Sequence, residues 1–155
     1  MPVEYRTGDL FQQTDLAAIS QGNNAGLKWG RGIAPVFKRI WPRMYEEFCI
    51  EINAGRLTLG DVFPWQAPSG VWIYNMVTQP RPGPCATLTA IEHALTLSLD
   101  HAIAHGVSSL GMPRIGAGLG GLAWEDVNAV VNRVAGQHTV RVVCVSQPDA
   151  PPLPH

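Results

Sequence analysis

Glycine fills four of the six positions from Gly116 to Gly121, in the run Pro113-Arg114-Ile115-Gly116-Ala117-Gly118-Leu119-Gly120-Gly121. The chemistry such a run can do is anion binding by the main chain. Glycine has no Cβ, tolerates positive φ and lets a backbone approach a ligand closely. A helix that follows adds free N–H groups and the positive end of its dipole. Each glycine costs backbone entropy on folding. Four in six exceed what a tight strand-to-helix connection needs, which favours a ligand-binding loop. A second glycine-bearing segment, Gly22-Asn23-Asn24-Ala25-Gly26-Leu27-Lys28-Trp29-Gly30-Arg31-Gly32-Ile33-Ala34, has the same setting, strand before and helix after. Two such loops at the ends of neighbouring strands would grip an anion from both sides, and a diphosphate fits.

Side chains near these loops carry two readings each. Arg114 pairs with phosphate or clamps loop carbonyls, and spacing leaves the two even. Asn23 and Asn24 bond ribose hydroxyls or favour a turn. Lys28 and Arg31 steer an anion or are simply solvated, and solvation is the simpler account for each alone. Asp9, in Gly8-Asp9-Leu10-Phe11, accepts from an exocyclic amino group or caps a turn. Spacing alone favours the cap. Phe11 stacks a base or fills core.

Other chemistries are excluded. Gly116-x-Gly118-x-x-Gly121 matches the dinucleotide-binding pattern, which needs a place early in a βαβ unit and an acidic residue about 20 positions on. The run lies near the end of the chain, and positions 136–146 contain no Asp or Glu, so a nicotinamide dinucleotide is rejected. His93, His101 and His105 share one helix without a recognisable third zinc ligand. They read as helix-surface histidines, and neither metal nor other cofactor is expected. Trp29, Trp41, Trp65, Trp72 and Trp124 read as core or groove walls.

The elements that must position the loops follow from periodicity. Strands are expected at Val3–Tyr5, Leu16–Gln21, Asp61–Gln66, Val71–Thr78, Ser108–Met112 and Thr139–Val145. Helices are expected at Ile33–Ile40, Pro42–Asn53, Ala86–His105 and Trp124–Ala135. In the long helix Leu88, Ile91, Leu95, Leu99, Ala102 and Ile103 share a face. Alternation of strand and helix in the second half implies an α/β sheet covered on both faces. Ligands of such sheets bind beyond the carboxyl ends of the strands, where both loops fall.

A chain of 155 residues is one domain by length. No apolar run reaches the roughly 18 residues of a membrane helix. Net charge is -1 and the eleven Lys and Arg are spread along the chain, which argues against a nucleic-acid backbone binder. Cys49, Cys85 and Cys144 are widely spaced with no CxxC, so a reducing cytoplasmic setting is the expectation. Residues 148–155 form a proline-rich tail, expected to be extended.

Taken together, Gly8-Asp9-Leu10-Phe11, Gly30-x-Gly32-Ile33-Ala34-x-x-Phe37, Met76-Val77-Thr78 and Pro113-Arg114-Ile115-Gly116-x-Gly118-Leu119-x-x-Leu122-x-Trp124-x-x-Val127 resemble a macrodomain. The branch they look most like is the ALC1-like one, which includes terminal ADP-ribose glycohydrolases and DNA-deribosylating antitoxins. The resemblance covers residues 3–145, and a single domain over 1–147 is expected. It implies a three-layer α/β/α sandwich around a mixed sheet with a cleft for ADP-ribose. It implies that Asp9, with Leu10 beside it, bonds the adenine amino group. Gly30, Arg31, Gly32, Ile33 and Ala34 would wrap the diphosphate and distal ribose. Pro113 to Gly120, that is Pro113, Arg114, Ile115, Gly116, Ala117, Gly118, Leu119 and Gly120, would cover the diphosphate from the other side, with Thr78 at the strand end between them. The partners implied are ADP-ribose and mono-ADP-ribosylated protein, with nucleic acid only as a modified substrate.

The same resemblance exposes a departure. Hydrolytic relatives of that branch carry a nucleophilic lysine after the Val-Thr strand end, and an acidic residue after the Gly-x-Gly-Leu run. Gln79 and Gly120 stand there. A glutamine amide forms no covalent adduct with the sugar. The activity implied is therefore water-mediated hydrolysis, with Gln79, Asn23 or Asn24 orienting water. The alternatives are a silent ADP-ribose reader and a hydrolase of a small ADP-ribose metabolite or of modified DNA.

Overall fold

The structure, a computed structural model, describes residues 2–148. All but the first residue of the proline-rich tail lies outside the described residues. Six strands form one sheet: β1 (Glu4–Thr7), β2 (Ala18–Asn24), β3 (Val62–Gln66), β4 (Trp72–Gln79), β5 (Ser109–Met112) and β6 (Arg141–Ser146). Their order is β1-β6-β5-β2-β4-β3. All neighbours run parallel except β3, which pairs antiparallel with β4 across the turn at Pro68-Ser69-Gly70. This is the mixed sheet expected of a macrodomain.

Four helices cover it: α1 (Ala34–Ile40), α2 (Pro42–Asn53), α3 (Leu88–Ala104) and α4 (Trp124–Ala135). α3 starts where the Thr87 hydroxyl accepts from the Ala90 amide. It ends at His105, followed by Gly106 at φ +70°, a left-handed stop that suits glycine. Its Ile91, Leu95, Leu99 and Ala102 are buried, with Val127, Val130, Val131 and Val134 of α4, against one face of the sheet. Ile103, expected on that face, is 51% exposed. Phe37 of α1 and Met44 and Phe48 of α2 are buried against the other face with Ile73, Val77 and Val143. Three layers result. No helix of the described residues is long and apolar enough to cross a membrane.

The chain leaves β2 toward α1 on one face and leaves β5 toward α4 on the other. β2 and β5 are adjacent parallel strands (Ala18 beside Leu110, Ile19 beside Gly111). The two loops therefore part at one point on the carboxyl edge of the sheet, and that point is where open α/β sheets hold ligands. The glycine run follows the fifth strand of a mixed sheet, not the first βα turn of a parallel one as the dinucleotide-binding pattern requires.

Candidate functional site

A cleft of about 860 Å³ opens at this edge, at the upper end of the range for small-molecule and cofactor sites. Gly22, Thr78 and Ile115 lie at its base, and residues from both glycine loops line it. A Cβ at Gly22 would stand 2.9 Å from Thr78 Oγ1 and 3.0 Å from Ile115 Cγ2. Glycine is needed there for close approach. The loops meet at the top of the cleft, where Leu119 Cδ1 lies 3.2 Å from the position a Gly32 Cβ would take.

Main-chain donors are the principal chemistry. The loop after β5 closes on itself through Ile115 N to Pro113 O, Ala117 N to Arg114 O, Gly120 N to Ala117 O, Gly121 N to Gly118 O and Leu122 N to Gly116 O. These bonds leave the amides of Gly116, Gly118 and Leu119 without a protein acceptor among the described residues. Across the cleft Gly32, Ile33 and Ala34 open α1, and their amides are likewise unpaired among the described residues. Gly116, Gly118 and Gly32 hold φ of +76°, +63° and +66°. Amides arranged this way around left-handed glycines form an anion-binding concavity.

One end of the cleft is built by Asp9, Leu10 and Phe11 with Val145 to Pro148. Asp9 caps a short 3-10 turn, its Oδ1 accepting from Phe11 N at 2.9 Å. Phe11 packs against Phe37 and Trp41, with ring centroids 4.7 Å and 6.3 Å apart. Nearby, Arg114 donates from Nε to Ser146 Oγ at 3.0 Å, and its guanidinium lies 5.4 Å from the Trp124 ring centroid. One edge of its fork is a clamp between the ends of β5 and β6. Cys144 is buried below, its thiol pushed up to about 12 by burial, against a smaller opposing pull from Arg114. It is no nucleophile.

Gln79 and Gly120 make the other end. Gln79 Nε2 donates to Arg81 O at 2.7 Å and to Gly83 O at 2.8 Å. The amide is thereby turned so that Oε1 faces Gly120, 3.5 Å from where a Cβ would sit. That Cβ would also stand 3.0 Å from Ala86 Cβ. This end offers an acceptor and leaves little room for a side chain at 120.

Residues 21–131 match the family model of the Macro domain. The chain belongs to the Macro domain family. ADP-ribose glycohydrolase OARD1 of Bos taurus is 27% identical over 140 residues, 90% of this chain and 88% of that protein. The DNA ADP-ribosyl glycohydrolase of Mycobacterium tuberculosis (strain ATCC 25618 / H37Rv) is 31% identical over 129 residues, 81% of this chain but 36% of that protein. Among solved structures, the macrodomain of Mycobacterium tuberculosis DarG superposes with a TM-score of 0.84 at 27% identity, covering 97% of this chain and 98% of that one.

The macrodomain cleft gathers most of the residues the sequence nominates and separates three of them. Asp9, Leu10, Arg31 to Ala34, Thr78, Gln79 and Pro113 to Gly120 all line it. Gly30 does not. Asn23 and Asn24 do not either, so neither is placed to orient a water in the cleft. Gly22 to Asn24 belong to β2 rather than to a loop, because β4 runs beside them and pairs with each. Asn24 Oδ1 accepts from Gly26 N at 2.9 Å and its Nδ2 donates to Lys28 O at 2.9 Å, so the amide is spent bracing the loop. Asn23 is 3% exposed, its amide buried without a protein partner among the described residues. Sequence reasoning missed Val145 to Pro148 and Arg39 of α1, which line the cleft too. The signal for Val145 to Pro148 was their place at a strand's carboxyl end. His93 and His101 prove structural, bonded to Gly60 O at 2.7 Å and to the Tyr74 hydroxyl at 2.8 Å. Among the described residues no cluster of three or more His, Cys, Asp or Glu is arranged to hold a metal.

Proposed function

We propose that this macrodomain binds ADP-ribose and hydrolyses the bond joining mono-ADP-ribose to an acidic side chain of a modified protein, using water and no lysine. The observation that carries the reading is the convergence of unpaired amides from two loops on one cleft. A diphosphate supplies the acceptors those six N–H groups lack. Asp9 keeps Oδ2 for the adenine amino group while Oδ1 caps the turn. The diphosphate then lies under Leu119, and the distal ribose reaches Gln79.

In the reaction, water oxygen bonds to the anomeric carbon as the carbon–oxygen bond to the acyl group breaks. The carboxylate leaves with the electron pair, and the water's surplus proton passes to solvent. Gln79 Oε1 accepts a hydrogen bond from the attacking water and so orients it. A carboxylate is a good leaving group, so orientation and loop dipoles suffice. The names of the relatives, ADP-ribose glycohydrolase and DNA ADP-ribosyl glycohydrolase, support hydrolysis at an ADP-ribosyl linkage. We place the chain in the ALC1-like branch on its motif resemblance, and in a reducing cytoplasmic setting on the wide spacing of Cys49, Cys85 and Cys144 without a CxxC pair.

A second reading, a catalytically silent ADP-ribose reader, is favoured by one observation. Position 79 presents an amide and position 120 no side chain, so no group there transfers a proton. A release assay decides between the two. Mono-ADP-ribosylated protein, run beside ADP-ribosylated DNA, is expected to lose ADP-ribose in the presence of the wild type. No release from either, with ADP-ribose still bound, establishes the reader.

A further inference from the structure

The eleven Lys and Arg look evenly spread in sequence but are sorted in space. Arg6, Arg43, Arg56, Arg133 and Arg141 each have a carboxylate within 4.0 Å. Lys28, Arg31, Lys38, Arg39, Arg81 and Arg114 have none among the described residues; Arg31, Arg39 and Arg114 line the cleft, and Lys28, Lys38 and Arg81 lie on the chain segments that adjoin its lining residues in sequence. Residues 16–45, 62–91 and 101–124, which supply most of that lining, contain no Asp or Glu. A chain with net charge -1 thus turns one cationic face outward around the cleft.

Contacts make that face continuous. The loop at Arg81 and Pro82 abuts the loop after β2, where a Cβ on Gly26 would stand 3.0 Å from Pro82 Cδ. Next along the loop, Leu27 O accepts from the Tyr45 hydroxyl at 2.8 Å. The Tyr45 ring in turn carries Lys38 Nζ 4.3 Å from its centroid. Arg39 follows Lys38 on α1 and lines the cleft, as Arg31 does. The track therefore leaves the cleft near Gln79, passes Lys28 and Lys38, and returns at Arg39. Lys28, Lys38 and Arg81 lie outside the cleft lining, so a diphosphate bound there leaves them unanswered.

We propose that this track binds the sugar–phosphate backbone of a nucleic acid strand beside the cleft. A strand presents one negative charge per nucleotide at regular intervals, which a row of uncompensated Lys and Arg matches without reading sequence. The half-buried ring of Trp41 on the same ridge adds aromatic surface of the kind strand-binding proteins pair with cations. The inference needs neither the hydrolase reading nor ADP-ribose in the cleft.

Fluorescence anisotropy with a labelled, unmodified single-stranded DNA oligonucleotide tests it. Four phosphate contacts predict that raising salt from about 50 to about 200 mM weakens binding roughly 50-fold, at a slope of about -0.7 per contact. The Lys28→Gln/Lys38→Gln double variant replaces two exposed side chains outside the cleft. It should bind the oligonucleotide more weakly and show a salt effect of only roughly 7-fold, with calorimetric affinity for ADP-ribose unchanged. Saturating ADP-ribose should leave the oligonucleotide bound. Absence of binding at about 50 mM salt, displacement by ADP-ribose, or equal affinity for polyglutamate would overturn the proposal. The last outcome would make the partner an acidic protein segment.

Discussion

The two loops that face each other across the cleft are both rich in glycine, yet their glycines answer different demands. After β5, glycine is required by packing. A Cβ at Gly121 would lie 2.6 Å from Pro84 Cβ and 3.0 Å from Pro84 Cα, and one at Gly116 would lie 2.6 Å from Ile91 Cδ1. Both hold positive φ. This loop is bonded to itself and wedged against the segment that cradles Gln79. After β2, a Cβ at Gly30 would meet nothing within 4 Å, and Gly32 touches only the tip of Leu119. One wall is packed tightly at its glycines, and the other is open at Gly30 and Gly32. A glycine-rich sequence can encode either, and only the surroundings distinguish them.

The packed wall is most vulnerable at Gly121. Gly121→Ala must strain a left-handed residue and displace the Pro84 backbone, costing about 2–4 kcal/mol. Its unfolding midpoint should fall by roughly 6–12 °C in a thermal melt. A melt unchanged from wild type would mean the loop after β5 is not a tightly packed wall. Gly118 is the exception within that loop, exposed with nothing within 4 Å of a Cβ. Its φ of +63° still costs a side chain about 1–2 kcal/mol in backbone strain, so Gly118→Glu should be slightly less stable but stay folded, and should lose about 100-fold or more in ADP-ribose affinity. A carboxylate about 5 Å from a diphosphate charge costs about 3 kcal/mol at an effective dielectric of 20. Calorimetry showing the wild-type dissociation constant would remove the diphosphate from this loop.

Gln79→Ala deletes the acceptor for the attacking water together with the two bonds from Nε2 to Arg81 O and Gly83 O, and should slow release of ADP-ribose about 10-fold or more while leaving ADP-ribose affinity near wild type. An equal rate in the release assay would take Gln79 out of the mechanism. Smallest of all, Gly30→Ala meets open space at a φ that is not positive. It should leave affinity unchanged and raise stability by about 0.4–1 kcal/mol, by restricting the unfolded chain. A loss of stability on denaturant titration would show that the loop after β2 is as tightly packed as its counterpart.

Much of this was legible in the chain. The bounds of α4 at Trp124–Ala135 match its valine spacing, and the run from Gly116 to Gly121 announces a main-chain site because glycine acts through backbone alone. Gly22 to Asn24 read as a loop since their types favour turns. Pairing with β4 overrides that preference, as tertiary context does for strands generally. The part played by Val145 to Pro148 depends on β6 lying beside β5, a matter of strand order that periodicity does not carry. Gln79 was nominated through its position. That its amide nitrogen is held by Arg81 and Gly83, leaving the oxygen to act, is set by a proline-rich loop whose path no local pattern dictates. The sorting of Lys28, Lys38 and Arg81 to one face is likewise a product of the fold.

Isothermal titration of the wild-type protein with ADP-ribose tests the central claim most directly, because it asks whether the two sets of unpaired amides close on one diphosphate. The account predicts saturable heat at one ligand per chain, abolished or weakened about 100-fold by Gly118→Glu. No heat at millimolar ADP-ribose would contradict it.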